Sequence, residues 1–216
     1  MTQQGLFVSL DGPSGVGKST TIEALHRELT GRGVAVHQTA EPSQSKLGTF
    51  TRENANEIHG RALACLVMAD RYAHIEHDIR PSLATGDTVI CDRYIASTLV
   101  LQRLDGVPLD FLLALNDDVL PPDLAVILTA SPGRITDRIA KRGVRHRFHL
   151  DPTLPGREVE LYVETARLLK ARNVRVLVLD TSNATPSDAA SAIADALPAP
   201  SVPSATTPKP TTPQGT

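Results

Sequence analysis

Asp11-Gly12-Pro13-Ser14-Gly15-Val16-Gly17-Lys18-Ser19-Thr20 (residues 11–20) holds the pattern G-x-x-x-x-G-K-S at 12–19, and it begins where the apolar run Leu6, Phe7, Val8, Leu10 ends. Ile22, Leu25 and Leu29 follow at helical spacing. This order, buried strand, glycine-rich loop, amphipathic helix, is the context in which such a loop cradles phosphate. Gly12, Gly15 and Gly17 let the backbone N–H groups turn inward, aided by Pro13, Ser14 and Val16 as the loop's other members. Lys18 suits the β- and γ-phosphates, and the Ser19 hydroxyl suits Mg²⁺. The helix opening at Lys18–Thr20 turns its positive end on the same anions. A glycine-rich turn that binds nothing is the alternative, and the flanking elements argue against it. The expectation is a site for a nucleoside triphosphate with Mg²⁺.

Working outward, strand-like apolar runs recur at 6–10, 34–38, 88–91, 124–129 and 174–179, separated by helical or longer stretches. Such alternation predicts an α/β fold with a mainly parallel sheet covered on both faces. The first helix is expected to end near Gly31 and Gly33. A long helix is expected over about 57–79, with Pro81 marking a break or restart. Thr185-Pro186-Ser187-Asp188 reads as a capping-box start for a last helix running to about Leu197. Residues 1–197 are therefore expected to form the folded domain. The segment 198–216, rich in Pro, Ser and Thr with the single charge Lys209, is expected to be a disordered tail.

A length of 216 residues with 41% hydrophobic content supports one domain with a sizeable core. The net charge of −2 gives no basic excess that would point to nucleic acid. Cys65 and Cys91 lack ligand spacing and are expected to be buried free thiols. The first strand begins too early to leave room for a signal peptide, and no apolar run is long enough to span a bilayer. The expectation is a cytoplasmic protein without a membrane segment.

Thr88-Val89-Ile90-Cys91-Asp92-Arg93-Tyr94 places an acid and an arginine at the carboxyl end of an apolar strand, the end that faces the ligand crevice in a parallel sheet. Asp92 suits the water shell of Mg²⁺, and Arg93 suits an anionic substrate or the transferred group. A salt bridge closing a strand is the competing reading. Between 134 and 147, Arg134, Arg138, Lys141, Arg142, Arg145 and Arg147 stand against the single acid Asp137. Either this is a solvated basic helix and loop, or it is a lid that brings an arginine to developing charge. The pairs His74/His77 and His146/His149 lack a third ligand at motif spacing, so no metal site is expected there.

Glu41-Pro42, then Leu47-Gly48, then Arg52, with Asp70-Arg71, Ile79-Arg80-Pro81-Ser82-Leu83 and Asp92-Arg93-Tyr94, resemble the thymidylate kinase family in order and spacing over about residues 5–180. The resemblance implies a P-loop NTPase three-layer fold, with a five-stranded mainly parallel sheet, helices on both faces and a short lid at about 141–156. It implies that Arg93 binds the phosphate of the acceptor nucleotide and that Arg71 helps hold its phosphate or base. Glu41, Arg52, Ser97 and Thr98 would border the acceptor. Since Pro13, Ser14, Gly15 and Val16 include no basic residue, the lid would carry the catalytic arginine, with Arg142, Arg145 and Arg147 as candidates. Homodimerisation through helices is implied by the resemblance alone. Taken as a surface pair, Arg71 has Asp70 or Glu76 as its alternative partner.

Three positions depart from the family pattern. Ser14 stands where the family has an acid in the loop, leaving Asp11 as the nearby carboxylate. Val67 replaces the aromatic that stacks on thymine, and Leu101 replaces another aromatic. Loss of stacking on a base removes on the order of 1–3 kcal/mol of affinity. The leading expectation is transfer of the ATP γ-phosphoryl group to dTMP. The alternatives are a kinase of the same family for another nucleotide, a nucleoside or a small hydroxylated metabolite, and a nucleotide-hydrolysing switch protein.

Overall fold

The computed structural model describes residues 5–142 and 154–198, with the side chains of Lys141 and Arg142 excepted. Strands β1 (Phe7–Asp11), β2 (Val36–Ala40), β3 (Thr88–Asp92), β4 (Leu124–Thr129) and β5 (Val176–Asp180) form one sheet in the order β2-β3-β1-β4-β5. Every pairing is parallel. The strand alternation sorts the core into two layers. Phe7, Val89, Cys91, Ala125 and Ile127 pack on one face. Val8, Leu10, Ile90, Val126 and Leu128 pack on the other.

Helices α3 (Gly60–His74), α5 (Ile95–Leu104) and α8 (Leu154–Ala171) contribute Met68, Leu99 and Tyr162 to the first layer. Helices α1 (Lys18–Gly31) and α9 (Pro186–Ala196) contribute Leu25 and Ile193 to the second. The remaining helices are α2 (Lys46–Asn54), α4 (Arg80–Ala84), α6 (Leu109–Leu115) and α7 (Pro132–Arg142). The chain leaves β1 toward β2 on one side and leaves β3 toward β4 on the other. The carboxyl ends of β1 and β3 therefore flank the point where the winding reverses, the place such sheets bind ligands.

The expected strands at 34–38 and 174–179 begin instead at Val36 and Val176, for one shared reason. Val34 donates its amide back to Leu29 O after Gly33 bonds Thr30 O, and Val174 does the same to Leu169 O after Asn173 bonds Lys170 O. Each valine closes the helix before it, with Gly33 (φ 78°) and Asn173 (φ 62°) in the left-handed conformation that this closure requires.

The helix expected over 57–79 starts only at Gly60, because Glu57 and Ile58 close on Asn54 O at the end of α2. It then widens into one π-helical turn, Ile75–Ile79, before continuing as α4. Arg80 bonds back to Ile75, and Pro81, which lacks an N–H, sits in the first turn that follows. Pro81 thus marks a restart. The last helix carries the expected capping box between Thr185 and Asp188. Cys91 is buried, but Cys65 is exposed on the outer face of α3, out of phase with the inward Ala64 and Met68. Of the expected lid, residues 143–153 lie outside the described residues, as do 199–216 of the expected tail.

Candidate active site

The loop from Gly12 to Gly17 joins β1 to α1, and its glycines take the conformations the motif demands. Gly12 has φ 147°, and a Cβ there would lie 2.5 Å from Leu128 O on the neighbouring strand. Val16 anchors the loop from below: its side chain is buried in the second layer. Its carbonyl accepts from Arg138 Nη1 and Thr181 Oγ1, each at 2.9 Å. Pro13 is buried, while Ser19 and Thr20 are exposed at the helix start and Thr20 Oγ1 bonds Gly17 O at 2.8 Å.

Lys18 folds its ammonium onto Gly12 O at 2.8 Å and Pro13 O at 3.0 Å. Burial and the neighbouring Arg93 pull its pKa down to about 7, against the attraction of Asp92, Glu158 and Asp11. Among the described residues its hydrogen-bond partners are carbonyls, which leaves the ammonium poised for an incoming anion.

β3 ends at Asp92, and the next residue, Arg93, stands at φ 71°, a rare conformation for a side-chain-bearing residue. Asp11 holds it there. One carboxylate oxygen accepts from the amides of Tyr94 at 2.8 Å and Ser97 at 2.9 Å, capping α5 from the adjacent strand. Asp11 is fully buried and does not line the cleft, so the nearby carboxylate expected for the acceptor is instead an internal brace. Arg93 reaches into the cleft with Nη1 3.4 Å from Ser97 Oγ.

Lys18, Ser19, Asp92 and Arg93 line one cleft of about 440 Å³ above the carboxyl ends of β1 and β3. Two carboxylate oxygens in it, Asp92 Oδ1 and Glu158 Oε1, are buried without a hydrogen-bond partner among the described residues. Orphaned acceptors in a cleft that Ser19 also lines fit a hydrated divalent cation. Burial pushes Glu158 above the usual carboxylate range, opposed by Arg93, Lys18 and the Ser14 amide.

The far end of the cleft is built on Arg71. This guanidinium is buried and pairs neither with Asp70 nor with Glu76. It binds Glu41 Oε2 through Nε at 2.7 Å and Nη2 at 2.6 Å, Thr98 Oγ1 at 2.9 Å, and Asn116 Oδ1 at 2.6 Å. It also stacks over the Tyr94 ring, 4.7 Å from its centroid. Thr98 accepts from Arg71, which leaves its own hydroxyl proton to donate. Asp70 instead receives the amide and hydroxyl of Ser43 and the hydroxyl of Ser45, tying down the segment after Glu41. Arg52 bonds the carbonyls of Pro42 and Ser43. Glu41, Arg52, Val67, Arg71, Ser97 and Thr98 all line the cleft.

A profile of the family described as "Thymidylate kinase" matches residues 10–190. The chain belongs to the thymidylate kinase family. Among its relatives, a probable thymidylate kinase of Caldivirga maquilingensis is 37% identical over 166 residues, covering 75% of this chain and 81% of that protein. The thymidylate kinase of Deinococcus radiodurans is 36% identical over 188 residues, covering 83% of this chain and 90% of that protein. A probable thymidylate kinase of Pyrococcus horikoshii is 35% identical over 153 residues, covering 67% and 75%.

Within this thymidylate kinase framework, the departures noted in the sequence shape the cleft directly. Ser14, Val67 and Leu101 all line it, and Val67 and Leu101 present aliphatic carbons at positions where the family pattern has rings. Gln102 lines it too, buried and with Oε1 unpartnered among the described residues.

Sequence reasoning missed Gln102, Asn116 and Glu158. Glu158 had a readable signal: with Tyr162, Thr165, Ala166 and Leu169 it forms the inward stripe of α8, so an acid occupies an apolar phase. In the basic segment, Arg134 is exposed and Arg138 is engaged with the loop and with Thr181 O at 3.1 Å. The side chain of Arg142 and all of Arg145 and Arg147 lie outside the described residues.

Proposed function

We propose that this thymidylate kinase family member transfers the γ-phosphoryl group of ATP to dTMP, giving dTDP and ADP. The observation that carries the reading is that Lys18, in the phosphate loop, and Arg93, at the end of β3, face one cleft. A triphosphate on the loop amides and an acceptor phosphate on Arg93 would then meet in line. Phosphoryl transfer rests on such alignment and charge neutralisation more than on covalent chemistry.

Lys18 would leave the Gly12 and Pro13 carbonyls to hold the transferring group's oxygens. Ser19 and Asp92 are the residues that would hold Mg²⁺, which supplies neutralisation of the bridging phosphate charge. Thr98 and Gln102 would offer hydrogen bonds to the base edge, with Val67 and Leu101 packing on its faces. Arg142, Arg145 and Arg147 are proposed as the lid's source of a cation for developing charge. The family resemblance supports a homodimer working in the cytoplasm.

A second reading, a kinase for another nucleotide, draws on the aliphatic lining at Val67 and Leu101. Coupled ADP release over a panel of nucleoside monophosphates decides. Turnover led by dTMP is expected, and an inert dTMP beside another active nucleotide overturns the first reading. Among the described residues, no helix is long and apolar enough to cross a membrane.

A further inference from the structure

A chain of polar groups runs behind the acceptor end of the cleft, from Arg71 through Glu41 and His74 to Asp78 and His37 at the surface. His74 is buried. Its Nδ1 lies 3.3 Å from Glu41 Oε1, and its Nε2 lies 3.1 Å from Asp78 Oδ2 and 2.7 Å from Thr39 Oγ1. Thr39 donates its only hydroxyl proton to Asp78 Oδ2 at 2.8 Å, so toward His74 its oxygen accepts. Nε2 therefore carries a proton. Glu41 pairs with Arg71 through its other oxygen as an acceptor, so toward His74 it accepts too and Nδ1 carries a proton as well. An imidazole with acceptors at both nitrogens is an imidazolium.

We infer that His74 is a buried imidazolium that positions the acceptor site, holding Glu41 in the orientation in which it fixes Arg71 against Thr98 and Asn116. This rests on the acceptor reading of the cleft given above. Glu41 bridges two cations, Arg71 from α3 and His74 one turn further along, across the end of β2. Without the ring's charge, Glu41 Oε1 faces at best a neutral N–H, a weaker partner, and the carboxylate is anchored less firmly against the guanidinium.

The other titratable groups facing His74 are Asp78 from the π-helical turn and Cys91 from β3. His37 meets Asp78 Oδ1 at 2.9 Å. Glu41, His74 and Cys91 bring their ligand atoms within 4.8 Å of one another, a grouping that in other surroundings would suit a metal. Here a doubly protonated ring has no lone pair to give, Arg71 adds a positive charge, and the Cys91 thiol donates to Arg93 O at 3.1 Å. Burial pulls His74 down, and the bonds and charges of Glu41 and Asp78 more than offset it, leaving the ring above the usual imidazole value. The charge is thus fully present below the usual imidazole value of about 6.5 and is lost as pH rises through the raised one.

The test uses the full-length protein with dTMP as acceptor. Long-range ¹H–¹⁵N spectra of the wild type, with His74 assigned from His74→Gln, should show both ring nitrogens protonated at about pH 6, below the ordinary imidazole value. A neutral tautomer overturns the inference, as does stoichiometric zinc retained at this cluster. In steady state, His74→Gln should raise the KM for dTMP roughly tenfold, the scale of a lost hydrogen bond to a charge. Its kcat and its KM for ATP should stay within about twofold on the same reasoning. Wild-type kcat/KM for dTMP should fall on the alkaline side, and that limb should move to lower pH in Asp78→Asn and vanish in His74→Gln. Ionisation of dTMP itself is common to all variants and cancels in their ratios. Equal KM values and superimposable pH profiles refute a positioning role. If the wild type leaves dTMP untouched, the acceptor reading fails, while the spectra still report whether the ring is charged.

Discussion

Glu41→Gln probes the most consequential charge arrangement in the molecule. The Glu41 and Arg71 side chains are 3% and 1% exposed, so the variant strands a guanidinium out of water and removes a counter-charge from His74. Removing one partner of a buried pair costs about 3–5 kcal/mol. The glutamine carbonyl still accepts one bond and His74 can shed its proton, which places the expected loss at the low end, about 3 kcal/mol. For a chain of this size that corresponds to a fall in Tm of roughly 6–12 °C.

The loss should also depend on pH. His74 is raised in the wild type, so its contribution is fully present below the ordinary histidine value of about 6.5 and fades as pH rises through the raised one. The variant should therefore be most destabilised in mild acid and less so as pH rises through that raised value, where the stranded guanidinium alone still costs. Urea unfolding at about pH 6 and about pH 8, on either side of the ordinary value, measures both quantities. A loss below about 1 kcal/mol, or one of equal size at both pH values, would refute the coupling of Glu41 to both cations.

Three further outcomes follow from the geometry. Gly12→Ala places a Cβ 2.5 Å from Leu128 O at φ 147°, so it should abolish ATP binding and lower stability; titration with a fluorescent ATP analogue and a thermal melt check both, and retained affinity counts against the loop assignment. ATP binding should take up a proton near and above pH 7, because Lys18 rests at about 7 and a triphosphate favours its ammonium form. Calorimetry in buffers of different ionisation enthalpy reads this uptake, and identical heats would contradict it. Asp11→Ala removes the acceptor for the Tyr94 and Ser97 amides, which should cost about 2 kcal/mol. It should also raise the KM for dTMP by releasing Arg93, and an unchanged KM would break the link between that brace and the arginine.

The sheet and its phosphate loop were legible because their signals are local. Short apolar runs, three glycines at fixed offsets and a capping box need no distant partner to be read. Strand starts at Val36 and Val176 were misjudged because Val34 and Val174 are apolar for a different purpose, closing the helices before them. Roles set across the fold were the least visible. Arg71 has a charged neighbour in sequence, Asp70, yet its partner is Glu41, which the β2–α3 crossover brings alongside. Asp11 sits beside the phosphate loop, but its acceptors' needs are met on α5, a strand away, so proximity in sequence suggested a ligand where the fold has a brace. Glu158 lies just past the expected lid, in a stretch for which no helix was laid out, although its inward phase among Tyr162 and Thr165 announced a buried acid.

The most direct measurement is ³¹P NMR of the protein incubated with Mg·ATP and dTMP. The account predicts matched growth of dTDP and ADP signals, lost in Lys18→Met although that variant stays folded. ADP appearing with inorganic phosphate and no dTDP would contradict it.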